Sequence, residues 1–444
     1  MPNTHQPSYA AHLAVPFDAS FLPLAMGFAE QGARGFGYGD RETAGLVLAV
    51  EELFAFYTRR AAKGSTARLE LEDQGFRLRL CLSFHVAEPD LSAFNLTFRV
   101  HHDSEASLEM LGPMIAARSV SSLRLEFDRE DRVSLWLTRD RDYPPAPSVA
   151  LPPTGLSDPL RVQRRPSRED VAHFAAMLAA SKEPYAPAFL HRPGMAADML
   201  AGGHLQAALL LSGNWIAGGI VWRPLTETCL ELYGPYLFDA RREPALSMLL
   251  DEAVSRISRS GARGLLRRQG PLPDAERFFD RLGELTLGAA GEKTPPCTYY
   301  YRQLREESGG VVYASGPLAA FLQRQYDRLC LPRQVREHSG GSARLRDASV
   351  LAVELEHARA LAVIHPLCSG TDMAANLVAH LDLLRAEGIA DFIVEVNTGR
   401  GEETAFAEAL EAAGFAPRLL IPDAGQGDLV IYAYGRAHDP GEAA

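Results

Sequence analysis

Cysteine is scarce and scattered. The five residues, Cys81, Cys229, Cys297, Cys330 and Cys368, form no C-x-x-C pair, and their count is odd. That excludes a disulfide framework or a zinc ribbon and reads as free thiols in a reducing cytoplasm. No apolar run approaches the roughly 20 residues that cross a bilayer, so no membrane partner is expected. The opening "MPNTHQPSYAAHLAV" lacks a basic segment and an unbroken apolar core, so no secretory signal is expected. Positive charge is in deficit, with 45 Lys and Arg against 56 Asp and Glu and a net charge of −11. That balance argues against an extended nucleic-acid interface. His101-His102 has neither companion cysteines nor i, i+4 spacing, so no metal site is expected. The glycines at 32, 35, 37 and 39 follow no strand and miss the G-x-G-x-x-G register, which points to a helix–helix connection rather than a phosphate cradle.

What is present is a globular composition, 47% hydrophobic and 23% charged, in 444 residues, too long for one ordinary core. The most informative stretch runs from Cys229 to Gln269. Leu230, Leu232, Tyr233, Tyr236, Leu237 and Phe238 have the content of a buried strand. A charged turn follows, Pro244 suits a first helical position, and Leu246, Leu249, Leu250, Ala253 and Ile257 recur at helical spacing up to Gly261. Gly264–Arg268 is a second strand. The turn aims a helix N-terminus past the first strand, where its backbone N–H groups suit a phosphate.

These residues resemble the GNAT acyltransferase core, in which a Q/R-x-x-G-x-G/A turn between strand and helix cradles the pyrophosphate of acetyl-CoA. The resemblance implies acetyl-CoA or another acyl-CoA as cofactor, held by Tyr236, Leu237, Phe238, Arg241, Arg242 and Ala245. Arg241 stands at the first position of the turn, while Pro244 and Leu246 occupy the glycine positions. The family's tyrosine proton donor corresponds to Phe279 and Leu410 here, neither of which can donate. Tyr299, on the late strand "CTYYYRQL", is a substitute candidate, although strand aromatics usually pack. Glu395 ends the apolar strand "DFIVEVN" on the face of Ile393 and reads either as a site residue or as a solvated strand end. Arg161, Arg164, Arg165, Arg168, Arg267 and Arg268 read either as an anion-facing set or as surface charge.

The pattern repeats. "MAANLVAHLDLLRAEG", "DFIVEVN" and "TAFAEALEAAGF" form a second helix, strand and helix, with Gly388 lying 127 positions after Gly261 and Gly414 131 after Gly283. In the first copy the matching final helix is expected over "DAERFFDRLG". Each half offers a sheet edge, and tandem folds of this kind bury such edges against each other.

Residues 12–140 resemble the GHKL-type ATPase domain of anti-sigma-factor serine kinases. A helix over Phe21–Glu30, the long helix with "LAVEEL" and alternating strands carry the likeness. Glu51 and Glu52 match the family's N-box, but Phe56 stands at its magnesium-holding Asn. "HVAEPD" replaces D-x-G-x-G, and "SLEMLGPMIAARSV" keeps a single glycine, Gly112, of its second glycine motif. The resemblance therefore implies a degenerate nucleotide site that does not take ATP.

The expected architecture is α/β (α+β): a GHKL-like sandwich (1–143), a proline-rich linker (144–159), a first GNAT-like mixed-sheet domain (160–305), a short linker (306–311), a second such domain (312–437) and a tail (438–444). The expected function is a cytoplasmic regulatory protein with a tandem ligand- or partner-binding platform and a partner of sigma/anti-sigma type. The alternative is an acyl-CoA-dependent N-acyltransferase with its first half active.

Overall fold

The computed structural model of the chain describes residues 9–59, 64–85, 95, 97, 111–127, 132–153, 155–238, 242–272, 274–286, 296–307, 309–337, 346–356 and 360–434. It is an α/β (α+β) protein built on mixed sheets. Its contacts divide it into two compact units. The first holds 1–94, 98–223 and 234–254, and the second holds 95–97, 224–233 and 255–444.

The first unit opens with β1 (Tyr9–Pro16), α1 (Leu22–Gly35), α2 (Asp40–Thr58), β2 (Thr66–Asp73), β3 (Arg77–His85), α3 (Leu111–Ser119), β4 (Ser122–Phe127) and β5 (Arg132–Asp140). The strands pair antiparallel in the order β1-β2-β3-β5-β4. Period-two alternation puts Leu69, Leu71, Leu78, Leu80, Leu82, Leu135 and Leu137 on one buried face. Ala25, Ala29 and Ala33 of α1 recur every fourth residue on its buried side. At Gly32 a Cβ would stand 2.4 Å from Leu71 Cδ2, so this glycine lets helix and sheet approach. The glycine cluster is thus the end of α1 and a four-residue connection to α2, with Gly37 at φ +80. The helix runs five residues beyond its expected end at Glu30. Strand β1 was not expected, because its alanines give almost no alternation of polarity.

After residues 141–159, whose described part carries neither helix nor strand, come β6 (Leu160–Gln163), α4 (Arg168–Ser181), α5 (Pro193–Ala201), β7 (Gln206–Ser212) and β8 (Trp215–Pro224). The capping box forms as expected: Asp170 N–H donates to Ser167 Oγ at 3.1 Å, and Ser167 N–H donates to Asp170 Oδ2 at 2.8 Å. Strands β7 and β8 form the hairpin expected at Gly213-Asn214, with Ser212 opposite Trp215. Strand β9 (Cys229–Leu237) begins in the second unit and ends in the first, where α6 (Arg242–Ile257) follows.

The second unit continues with β10 (Gly264–Gln269), β11 (Asp280–Leu285), β12 (Cys297–Gln303), β13 (Gly310–Tyr313), α7 (Gly316–Leu329), β14 (Arg333–Arg336), β15 (Val350–Glu356), β16 (Leu361–Cys368), α8 (Met373–Ala386), β17 (Asp391–Asn397), α9 (Gly401–Thr404), α10 (Ala407–Ala412), β18 (Phe415–Ile421) and β19 (Leu429–Tyr434). The helix expected over "DAERFFDRLG" shrinks to the single turn Ala275–Arg277, and the chain becomes β11 at Asp280. Pairing with β12, through a bulge between Arg281 and Gly283, satisfies the backbone and brings both Leu282 and Leu285 into a core that a helix would not reach.

Strands β15-β16-β17-β19-β18 form one sheet buried on both faces. Phe392, Val394 and Val396 of β17 meet Leu318 and Phe321 of α7 and Leu377 and Leu381 of α8. Ile393, on the other face, shares a core with Leu266, Tyr299, Tyr301, Leu361, Leu419 and Ile431. Strands β10–β12 and β16–β19 therefore stack through their faces, not only through the edges that the sequence suggested.

Candidate functional site

Two parallel strand pairs in the second unit run together briefly and then part. Between β9 and β10 the pairing ends at Glu231 opposite Leu266. Between β16 and β17 it ends at Ile364 opposite Val394. Past the second parting each strand keeps its outer neighbour, since His365 still faces Ala352 of β15 and Glu395 faces Ile431 of β19. His365 and Glu395 are the first residues beyond the fork.

Polar side chains from both forks join into one chain. Tyr233 O–H donates to Glu231 Oε2. Arg268 Nε donates to Glu231 Oε1 at 2.5 Å, and Arg268 Nη1 lies 4.0 Å from Glu395 Oε1. Glu395 Oε2 lies 3.6 Å from His365 Nδ1, and His365 Nε2 lies 3.8 Å from Glu354 Oε1. The Glu231 side chain is 1% exposed, while that of Glu395 is 16% exposed. Glu231 is thus a buried anchor, and Glu395 is the carboxylate that solvent can reach. The buried Glu231 carboxylate holds Arg268 well above the ordinary arginine range. Burial raises the Tyr299 phenol above its usual value, so Tyr299 stays protonated behind Arg268. His365 Nε2 is closed off from solvent and has no hydrogen-bond partner among the described residues.

The structure thus brings Glu395 and Tyr299 into one cluster and adds Glu231, Tyr233, Arg268 and His365, which spacing alone did not single out as partners. Arg268 is engaged by two carboxylates. Arg267 donates to Gly270 O at 2.9 Å, Arg164 pairs with Glu252, and Arg168 pairs with Asp198. These four arginines serve the fold rather than standing ready for an anion. A second charge cluster, Arg333 with Glu307, Asp423 and Asp428, is closed to solvent: Arg333 holds Asp428 at 2.8 and 3.1 Å. No group of side chains among the described residues could hold a metal ion.

The cofactor-binding candidates lie in the first unit. Tyr236 and Ala245 are buried, and Leu237 and Phe238 are half-buried. Tyr236 and Phe238 face the ring of Phe174, with centroids 6.2 and 6.1 Å away. Arg241 lies outside the described residues, as does the Arg242 side chain, although the Arg242 backbone opens α6. The start of α8 is filled by the chain itself. Asp372 accepts from Ser349 N–H at 2.6 Å, Thr371 N–H donates to Arg346 O at 2.8 Å, and Asn376 donates to Ser349 O at 3.0 Å. Asn95 adds hydrogen bonds to Ser349, Leu351 and Asn376.

In the first unit Glu51 and Glu52 are half-buried on α2. Phe56 is buried edge-on against Tyr57, with centroids 4.8 Å apart. A Cβ at Gly112 would meet Glu52 Oε2 at 2.9 Å, so α3 sits on that carboxylate. The replacement "HVAEPD" and His101-His102 fall outside the described residues, save for His85 at the end of β3. Phe279 and Leu410, at the proton-donor positions of the likeness, are both buried.

No protein-family model matches the chain, and none of the curated proteins does. Solved structures similar to part of it include acetyltransferases. An N-acetyltransferase from Staphylococcus aureus Mu50 shares 15% identity, with 33% of this chain and all of that one covered, at a TM-score of 0.28. A GNAT-family acetyltransferase from Streptococcus pneumoniae shares 14%, with 33% and 99% covered, at 0.27. RimL, a ribosomal L7/L12 α-N-protein acetyltransferase in complex with coenzyme A, shares 12%, with 33% and 96% covered, at 0.26.

Proposed function

We propose that the chain is an acyl-CoA-dependent N-acyltransferase whose proton-accepting pair is Glu395 and His365. The observation that carries this reading is their place: the first residues past a parallel-strand fork, 3.6 Å apart, with Arg268 behind Glu395. An amine attacking a thioester carbonyl forms a C–N bond as the C–S bond breaks; its nitrogen must lose a proton, and the departing thiolate takes one from solvent. Glu395, partly desolvated and oriented by Arg268, accepts that proton with His365 beside it. Coenzyme A would supply the acyl group already activated as a thioester. Its diphosphate is not assigned to α8, whose first turn is filled by residues 346–349. The sequence resemblance implies the strand end Tyr236–Phe238 and the turn Arg241–Ala245 as a holder of coenzyme A, a proposal separate from the Glu395–His365 pair. Thiol release from acetyl-CoA, measured over a panel of primary amines, tests the reading. Glu395→Gln is expected to lower turnover by about a hundredfold or more. Wild-type rates in that variant, with the fold intact, would overturn it.

A regulatory reading, in which the GHKL-like module meets a sigma/anti-sigma-type partner, is favoured by a separate observation. Phe56, at the position where the resemblance implies the magnesium-holding Asn, is buried, and a Cβ at Gly112 would meet Glu52 Oε2 at 2.9 Å. On this reading the module meets a partner protein without binding ATP. Calorimetry of the full chain with ATP and magnesium is expected to show no binding, and micromolar affinity would contradict it.

A further inference from the structure

A cavity of about 570 Å³ in the first unit, lined largely by arginine, has no part in the reading above. Arg41, Arg139, Arg141 and Arg192 line it with Asp140 and Asp142, so the lining carries two positive charges in excess. Its volume is that of a small-molecule site. It is not the degenerate nucleotide site. Arg41 lies in the first turn of α2, and Glu51 is ten residues further on, about 15 Å along the axis.

The arginines are not equivalent. Arg141 is committed to the wall: its guanidinium donates to Gly75 O and Gly37 O, both at 3.1 Å, and lies 4.1 Å over the ring of Tyr38. Arg139 is not. Its side chain is 18% exposed, Nε is closed to solvent without a hydrogen-bond partner among the described residues, and Nη2 stands 3.9 Å from Asp142. Arg41 reaches the same Asp142 at the same loose 3.9 Å from an exposed position. Half-satisfied guanidinium groups around one cavity are what a doubly charged, multi-acceptor ligand completes, since arginine's fork matches phosphate oxygens two at a time.

The wall is rigid. Asp140 N–H donates to Ser121 Oγ at 2.9 Å, Arg141 N–H to Phe76 O at 2.9 Å, and Asp142 N–H to Glu42 Oε1 at 2.9 Å. Three successive residues, Asp140 to Asp142, are therefore fixed, so this part of the cavity wall is set before a ligand arrives rather than ordered by it.

We infer that this cavity is a binding site for a small phosphate-bearing anion, read by Arg41, Arg139 and Arg192. The test titrates inorganic phosphate, pyrophosphate and citrate into the full chain at constant ionic strength, by calorimetry. Pyrophosphate is expected to bind more tightly than phosphate and citrate. Arg139→Gln and Arg192→Gln are each expected to weaken it about tenfold or more. Arg41→Gln, at an exposed helix start, gives a variant whose folding is not at risk and is expected to weaken binding in the same direction. Glu51→Gln, on the nucleotide-site side of α2, is expected to leave it unchanged. Absence of pyrophosphate binding, affinity unmoved by all three arginine variants, or citrate binding as tightly as pyrophosphate would overturn the inference.

Discussion

Arg268 answers to two carboxylates with opposite needs. Glu231 is nearly inaccessible and depends on Arg268 and Tyr233 for its charge, whereas Glu395 is reached by solvent. Removing the arginine alone strands a buried anion, and Arg268→Met is expected to cost about 3–5 kcal/mol in urea unfolding. Adding Glu231→Leu removes the orphaned charge and is expected to recover most of that loss, because a buried ion pair is often no more stable than an apolar pair of its size. A double variant as unstable as the single one would show that Glu231 does not depend on Arg268. The thiols give a second prediction at this scale. Burial pushes Cys81 up to about 11 and Cys229 and Cys368 up to about 12, while Cys330 is exposed. A thiol raised in the folded state keeps its proton longer than in the unfolded chain. The stability it contributes is full below the ordinary thiol range near 9 and is lost as pH rises toward 11–12. Native alkylation at pH 8 is expected to label Cys330 first and to spare Cys81, Cys229 and Cys368. Urea midpoints are expected to fall between pH 9 and 11. Fast native labelling of Cys229 would contradict both expectations.

Elements with strong local signals were legible from the sequence. The alternation of "DFIVEVN" put Glu395 on the face of Ile393, and that face is where both are found. Ser167 with Asp170 marked the start of α4, and Gly213-Asn214 marked the hairpin. What local pattern cannot encode is contact across stacked sheets. Arg268 meets Glu395 over a long sequence separation, and nothing near His365 distinguishes it from any other strand histidine. Strand β11 was misread for a related reason: its two leucines are placed by a bulge and a partner strand, not by helical spacing. The turn before α6 carries the prediction of this scale. A diphosphate held at a helix start gains about 1.5–3 kcal/mol from a charge-assisted bond to arginine. With Pro244 lacking an N–H, Arg241→Ala with Arg242→Ala is expected to weaken coenzyme A binding at least about tenfold, or about 1.4 kcal/mol. Unchanged affinity in calorimetry, with circular dichroism intact, would place the ligand elsewhere.

At the scale of the whole molecule, the question is whether residues 155–305 and 312–440 are separate proteins on one chain. The shared core of the second unit argues that they are not. Leu266, Leu282, Leu285, Tyr299 and Tyr301 come from strands before residue 305, whereas Leu361, Ile393, Leu419, Ile421 and Ile431 come from strands after residue 310. Cutting the chain between them would turn both sets into exposed apolar faces. Five large side chains at roughly 1.5–3 kcal/mol each amount to the whole net stability of a typical domain, about 5–15 kcal/mol. The polar contacts agree. Thr226 donates to Asp423 O at 2.8 Å, Tyr301 to Asp423 Oδ2 at 3.1 Å, and Arg328 of α7 to Arg281 O at 2.8 Å, each joining an early strand or loop to a later element. A fragment keeping one member of each pair would leave buried donors or carboxylates unmatched. Residues 155–305 and 312–440, expressed separately, are therefore expected to be insoluble or to melt without cooperativity. Co-expressed, they are expected to associate and to melt in a single transition. Two soluble fragments with independent cooperative transitions would show that the common face contributes little, and that each half closes its own core.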